Sequence, residues 1–452
     1  MIKRTLGHAV RARAWYREFR EIVLICSVYN IERVVTHQNW LLYVDLPESY
    51  KVEHTRQLRS GMNIITNVQV YVGLRTTYYG GTHVNGTDTT LTETSGALRR
   101  GIEVEFWVVD RDGRLVDAGP LADGSDGIDR EFIEPVLEIK TSPCDSTVQS
   151  RDELCDRIEG VLDRAEDVDR RLVPLATPIC QEEIRDVPSD RTRIQAKTIG
   201  DSFEYIRHCA GTHIHIQQLS GREIDQFNTL TALDPALALI NSSPYFEGKQ
   251  LASGARSELY RSMAYVDMPN QGDLWPYCTS LDDWERRLEN GYDAFEAAAE
   301  AVGISRERIE ASFEPETSLW TPVQIRRAFD TVEWRSPDTA LPSQVIELAD
   351  NVTSILEHLE NTEVRIEGTE GRITADTIVL PEFDALTEYV QVAIRDGLQA
   401  PKVRNYLERM GFDVDSYQPI SHEIERSDEI STEEARQIRL EYADRLEEDV
   451  RT

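Results

Sequence analysis

Four apolar segments of this chain carry ionisable side chains at a spacing of two residues or inside a strand-like run. They are Glu103 and Glu105 in IEVEFWVVD, Glu138 between Leu137 and Ile139, His213 and His215 in HIHI, and Glu333 with Arg335 in VEWR. Successive side chains of a strand point to opposite faces, so the members of each pair share a face while Ile102, Val104 and Phe106 occupy the other. A single such pair is ordinary for a solvated sheet face, and a lone His pair is often structural. Four together describe a sheet with one apolar face and one face of carboxylates and imidazoles, which is a poor design unless something cationic sits there. Several oxygens with one nitrogen suit Mg²⁺ or Mn²⁺ better than a zinc tetrahedron.

Divalent ions held on a sheet by carboxylates commonly neutralise phosphates, which makes ATP the expected nucleotide. The chain has no G-x-x-x-x-G-K-[ST] loop and no G-x-G-x-x-G after a strand. Metals and arginines must then hold the phosphates. Arg256, Arg261, Arg326 and Arg335 are candidates, with His215 beside them on the nucleotide side. Cys144 and Cys209 lie near these segments, but the chemistry requires no thiol, and isolated cysteines are usually small buried hydrophobes.

The elements that must position these groups read as mixed strand and helix. Strands are expected over IEVEFWVVD, Leu137 to Thr141, Thr212 to Gln217 and Val332 to Ser336, with RDGRL turning into a hairpin. Helices are expected from a capping pattern at Ser150 and Glu153, near Glu223 to Ile240, Trp284 to Ala301 and Ser343 to Leu359, and from a second capping pattern at Ser431 and Glu434. The architecture is α+β, a mainly antiparallel sheet with helices on one face.

Composition bounds the partners. The 452 residues carry 81 Asp plus Glu against 49 Lys plus Arg, a formal charge of −32. That balance argues against nucleic-acid binding. Only 6 of the basic residues are Lys, and so self-repelling a surface suits a host rich in salt. Six cysteines without a C-x-x-C pair fit reduced thiols and a cytoplasmic location. The apolar run Ile22 to Val28 is too short to span a bilayer and lacks a cleavage signal, so no membrane is expected.

Residues 1 to 100 hold 13 basic and 8 acidic side chains, which leaves −37 for residues 101 to 452. The expected organisation is a compositionally distinct segment 1–98, either an extra domain or a gene-model extension, a catalytic domain 99–385, and an acidic helical segment 386–452. Thr76 to Ser95, rich in Thr and Gly, reads as a linker.

Five motifs, GIEVEFWVVD, FIEPVLEIKTSPC, HCAGTHIHIQ, NSSPYFEGKQLASGARSELYRSM and LWTPVQIRRAFDTVEWRSPDTA, follow one another in an order that resembles the carboxylate-amine ligase branch of the glutamate-cysteine ligase family. The match covers roughly residues 99 to 360. It implies a glutamine synthetase-like catalytic sheet that binds ATP and two or three Mg²⁺ ions. By position, Glu103, Glu105, Glu138, His213 and Glu333 match the family's metal ligands, Arg335 the arginine on the transferred phosphate, and Arg326 that of a later motif. Arg261 matches the arginine after the SSPxxEG motif, with Arg256 competing for the role. Lys140 stands where Asn or Gln is more usual, and Val104 where many relatives have Glu.

The implied reaction activates a carboxylate as an acyl phosphate, which an amine then attacks. Glutamate and cysteine, giving γ-glutamylcysteine, are the leading substrates. The rivals are the same chemistry with another acid or amine, a metal-dependent amidohydrolase, and a nucleotide-binding or structural protein without turnover. Spacing says nothing of oligomeric state.

Overall fold

The computed structural model describes residues 97–122, 126–425 and 427–451, all within one compact unit. The expectations for segment 1–98 and for the linker at Thr76 to Ser95 lie, but for its last two residues, outside the described residues.

A seven-stranded antiparallel sheet organises the fold. Its strands are β1 (Arg100–Asp110), β2 (Ile128–Arg130), β3 (Val136–Lys140), β4 (Arg170–Val173), β5 (Thr212–Gln217), β6 (Val323–Arg326) and β7 (Thr331–Trp334). The order across the sheet is β2-β3-β1-β5-β7-β6, and β4 pairs with the far end of β1. Thus β1 is the hub: β3 runs along one edge, β5 and then β4 along the other.

The period of two in β1 sets the layers. Ile102, Val104 and Phe106 are buried in the main core, against Leu154, Ile158 and Val161 of helix α1 (Thr147–Asp167) and Val345 and Ile346 of helix α2 (Pro342–Glu357). Each such side chain contributes roughly 1.5–3 kcal/mol on burial. A register slip of one residue would put Glu103 and Glu105 into that core, so the pattern fixes which face carries the acids. A second apolar cluster, with Phe203, Ile206, Tyr260, Tyr265 and Trp320, forms separately and roofs the polar face of the sheet.

The expected class, α+β with a mainly antiparallel sheet, is what the structure has, but several element ends differ. Helix α1 starts one turn before Ser150, because Ser146 caps it by accepting from the Gln149 amide. Ser150 is buried inside the helix, and Glu153 instead accepts from Ser142. The segment expected as one helix from Glu223 to Ile240 is α-helical only over Glu223–Ala232 and continues as a 3₁₀ turn over Asp234–Leu239, where Pro235 cannot donate to an α-helical ladder. After RDGRL the chain returns through a single bridge between Val109 and Leu115 rather than a full hairpin strand.

The capping pattern at Ser431 and Glu434 forms as read, opening helix α3 (Thr432–Val450). This acidic helix is part of the same unit. Arg439 on it is buried and donates to the carbonyls of Pro178 and Gly113, while Glu447 and Asp444 pair with Arg171 on β4.

Candidate active site

Cross-strand register brings the four segments together. Glu103 stands opposite His213 on one side and Lys140 on the other, Glu105 opposite Glu138, and His215 opposite Glu333. All of these but His215 line a cleft of about 410 Å³ between the sheet and the aromatic roof, together with Arg326 and Arg335, while His215 lines a neighbouring cavity. Three triads of potential ligands overlap there: Glu103, Glu138 and His213; Glu103, His215 and Glu333; and Glu105, Glu131 and Glu138. Within each triad the ligand atoms lie within 4.8 Å of one another.

One half of the cleft is charge-compensated. Arg326 donates to Glu333 at 2.7 Å, and the Arg335 guanidinium lies 3.3 Å from the same carboxylate. Burial opposes ionisation of Glu333, but Arg335, His215 and Arg326 outweigh it and hold its pKa down at about 2. Burial also disfavours a charged His213, and with Arg335 nearby its pKa falls to about 4. A neutral His213 donates from Nδ1 to Glu103 at 3.3 Å and keeps a lone pair on its other nitrogen. Burial works against the Glu103 carboxylate too, yet its hydrogen bonds and charge attraction with His213 and His215 hold its pKa well below the usual range.

His215 is oriented by Thr331, 3.1 Å from Nδ1, and its Nε2 points between Glu103 and Glu333 at 3.8 and 3.6 Å. That Nε2 is buried without a hydrogen-bond partner. Such an atom suits a metal ligand, which makes His215 a candidate nitrogen donor beside His213.

The other half is poorly compensated, Glu138 alone of its three carboxylates pairing with a cation, Lys140 at 2.6 Å. Glu105, Glu131 and Glu138 have pKa values raised to about 7, 7 and 8, first by burial and then by repulsion among neighbouring carboxylates. Hard oxygen ligands crowded in this way fit a divalent cation such as Mg²⁺ or Mn²⁺. Glu131 has no counterpart in the sequence reading. It sits in the turn between β2 and β3, where the period of two lapses, and its only sequence signal is its closeness to Glu138.

Two expected contacts move. Arg256 and Arg261 do not line the cleft. Arg256 is buried and donates to the backbone carbonyls of Arg335, Ser336 and Pro337. Arg261 pairs with buried Asp234 at 2.7 Å and donates to Ser336 at 2.8 Å, while Trp334 donates to the same Asp234. Both arginines therefore brace the segment that carries Arg335. Their chain stretch passes through a π-helical turn, Leu259–Ala264, which sequence spacing does not reveal.

A second cavity of about 330 Å³ abuts the first, and Glu103 and Lys140 line both. Its wall includes Ile102, Pro143, Gln217 and Phe329, an aromatic ring left 61% exposed. Arg326 lies over that ring at 5.3 Å.

The family model for glutamate-cysteine ligase family 2 matches residues 99–439, which takes in every residue of both cavities. The chain belongs to that family. Among named relatives, a glutamate–cysteine ligase of Haloferax volcanii is 24% identical over 288 residues, covering 60% of this chain and 74% of the relative. A Rhodococcus jostii protein provisionally named glutamate–cysteine ligase 2-1 is 28% identical over 204 residues, covering 43% of this chain. The match spans about half, 53%, of that relative's length.

Among solved structures, a bifunctional glutathione synthetase from Pasteurella multocida aligns with a TM-score of 0.48 at 16% identity, over 78% of this chain and 53% of the other. A glutamate–cysteine ligase from Francisella tularensis in complex with AMP aligns with a TM-score of 0.42 at 13% identity, over 79% of this chain and 95% of the other. Among the described residues no helix is long and apolar enough to cross a membrane.

Proposed function

We infer that this chain is an ATP- and Mg²⁺-dependent ligase that joins a carboxylate to an amine, and that its substrates are glutamate and cysteine. The observation that carries the reading is the overlap of three ligand triads on one sheet face, at the junction of two cavities that share Glu103 and Lys140. One cavity is polar and roofed by aromatics. The other has an apolar wall with an exposed Phe329 ring, a surface on which a purine base can stack.

In this scheme the nucleoside lies in the smaller cavity, with its phosphates crossing Glu103 toward the larger one. Divalent ions bound by the triads would neutralise the phosphates and polarise the phosphoryl group in flight. The acid substrate's carboxylate oxygen attacks the γ-phosphorus, ADP leaves, and an acyl phosphate remains. Arg335 faces the larger cavity and offsets charge on the phosphoryl group as it moves. Arg326 keeps Glu333 ionised and fixed. The amine nitrogen then attacks the acyl carbon, and the departing phosphate takes up the proton the amine loses. The aromatic roof limits water, which would otherwise hydrolyse the acyl phosphate.

The test is phosphate release by the purified chain in concentrated KCl with ATP, Mg²⁺, glutamate and cysteine, with γ-glutamylcysteine identified by mass spectrometry. Release that needs both amino acids supports the reading. Release with glutamate and a different amine would move the acceptor but keep the chemistry, and amide cleavage without ATP would sink it.

A further inference from the structure

We propose that the Lys140 ammonium serves as a built-in cation that takes the place of a divalent ion between Glu103 and Glu138. Resting on the metal-dependent reading above, it limits the cleft to two divalent ions. The three triads are not equivalent toward this lysine. Its Nζ lies 2.6 Å from Glu138 and 3.9 Å from Glu103, two of the three members of the triad completed by His213. Of the Glu103–His215–Glu333 triad it touches only Glu103, and of the Glu105–Glu131–Glu138 triad only Glu138.

The central triad is thus bridged by the lysine at two of its three members, whereas each outer triad meets the lysine at one member only, Glu333 of the first pairing instead with Arg326 and Arg335 and Glu105 of the second accepting from the Gly211 amide. In the outer triad of Glu103, His215 and Glu333, the orphaned Nε2 of His215 faces both carboxylates and leaves a nitrogen for a divalent ion. Lys140 is held in place from outside the ligand set as well, because Asp129 on β2 lies 3.4 Å from the ammonium without belonging to any triad.

Coulomb repulsion between an ammonium and a divalent ion at contact distance in a partly desolvated cleft is severe, so the two cannot share the central position. Removing the lysine charge should open that position. The position of Lys140 between the two cavities gives this substitution a place in the reaction. A fixed cation there meets any phosphate crossing from one cavity to the other and, unlike a bound ion, cannot leave with the product.

The experiment is titration with Mn²⁺ alone, followed by electron paramagnetic resonance of the free ion at constant KCl. Wild type, Lys140→Met, Lys140→Gln and Lys140→Arg are compared, each checked for folding by circular dichroism. The expected counts are two ions per chain for wild type and Lys140→Arg, and three for Lys140→Met and Lys140→Gln. Three ions in wild type, or an unchanged count in a folded Lys140→Met or Lys140→Gln variant, overturns the proposal and leaves the metal-dependent reading intact. No bound Mn²⁺ in wild type overturns both.

Discussion

The two halves of the acid cluster use the same residue type on neighbouring strands and reach opposite electrostatic states. Around Glu333 and Glu103, two arginines and two histidines hold the carboxylates ionised. Around Glu105, Glu131 and Glu138, burial and mutual repulsion favour the protonated form, and Lys140 reaches only one of the three within ion-pair distance. The difference shows that the protein supplies the counter-charges of Glu333 and Glu103 itself, whereas around Glu105, Glu131 and Glu138 it supplies too little positive charge to keep all three ionised.

The largest break in this contrast should come from neutralising the compensated half. Glu103→Gln is expected to lower turnover by roughly 10³-fold with little change in stability, because Glu103 is partly exposed. Glu333→Gln should lose activity to a similar degree and also cost about 3 kcal/mol, because it strips Arg326 and Arg335 of a buried counter-charge. Steady-state kinetics and urea unfolding on both variants separate the two effects. Near-normal turnover in either would remove that carboxylate from the site.

Next in size is Gly211→Ala, which tests how the poorly compensated half is braced. The Gly211 amide donates to Glu105 at 2.6 Å, and a Cβ at this position would come within 2.1 Å of the Arg256 guanidinium. Arg256 is tied to three successive carbonyls around Arg335 and cannot give way cheaply. The expected cost is about 1–3 kcal/mol in stability and, through a displaced Arg335, up to roughly a hundredfold in turnover.

A smaller effect, and one of opposite sign in the two halves, is the response to pH. The raised carboxyls contribute stability that is complete below their ordinary pKa near 4.5 and is lost as pH climbs through 7 to 8. Glu333, whose pKa is depressed to about 2, contributes stability that is present above 4.5 and is lost only as pH falls toward 2. Metal-free protein should therefore melt a few degrees lower at pH 9 than at pH 6, and Mg²⁺ should recover the loss at pH 9. A melting temperature independent of pH over that range, with no Mg²⁺ effect, would erase the distinction between the halves.

The legible part of this molecule is what a period of two or a local cap encodes. The alternation in IEVEFWVVD decides both the core face and the acid face, and Ser431 with Glu434 marks a helix start because both halves of a capping box lie within one turn. Glu131 is invisible because a turn residue has no period, and only the cross-strand pairing of Asp129 with Glu138 swings it into the cleft. The positions of Arg256 and Arg261 are hidden for a different reason. Their partners lie about 80 residues downstream for Arg256 and at Asp234 for Arg261, so the arginines could be seen but not their carbonyl and carboxylate acceptors. Ser150 misled because Ser146, four residues earlier, makes an equally good cap and lets the helix start a turn sooner.

The smallest expected effect lies at the rim of the poorly compensated half. Asp129 is 63% exposed and 3.4 Å from the Lys140 ammonium, whereas Glu138, on the same ammonium, is buried. A solvent-exposed pair is screened by salt and typically contributes less than about 1 kcal/mol. Asp129→Asn should therefore change stability by about 0.5 kcal/mol or less, with the difference vanishing in concentrated KCl, while Glu138→Gln should shift metal affinity at every salt concentration. Urea unfolding at low and high KCl, set beside Mn²⁺ titration of the two variants, separates them. If Asp129→Asn proved as damaging as Glu138→Gln, Lys140 would depend on its outer tether rather than on the buried acid, and the boundary of the poorly compensated half would have to be drawn one strand further out, at β2.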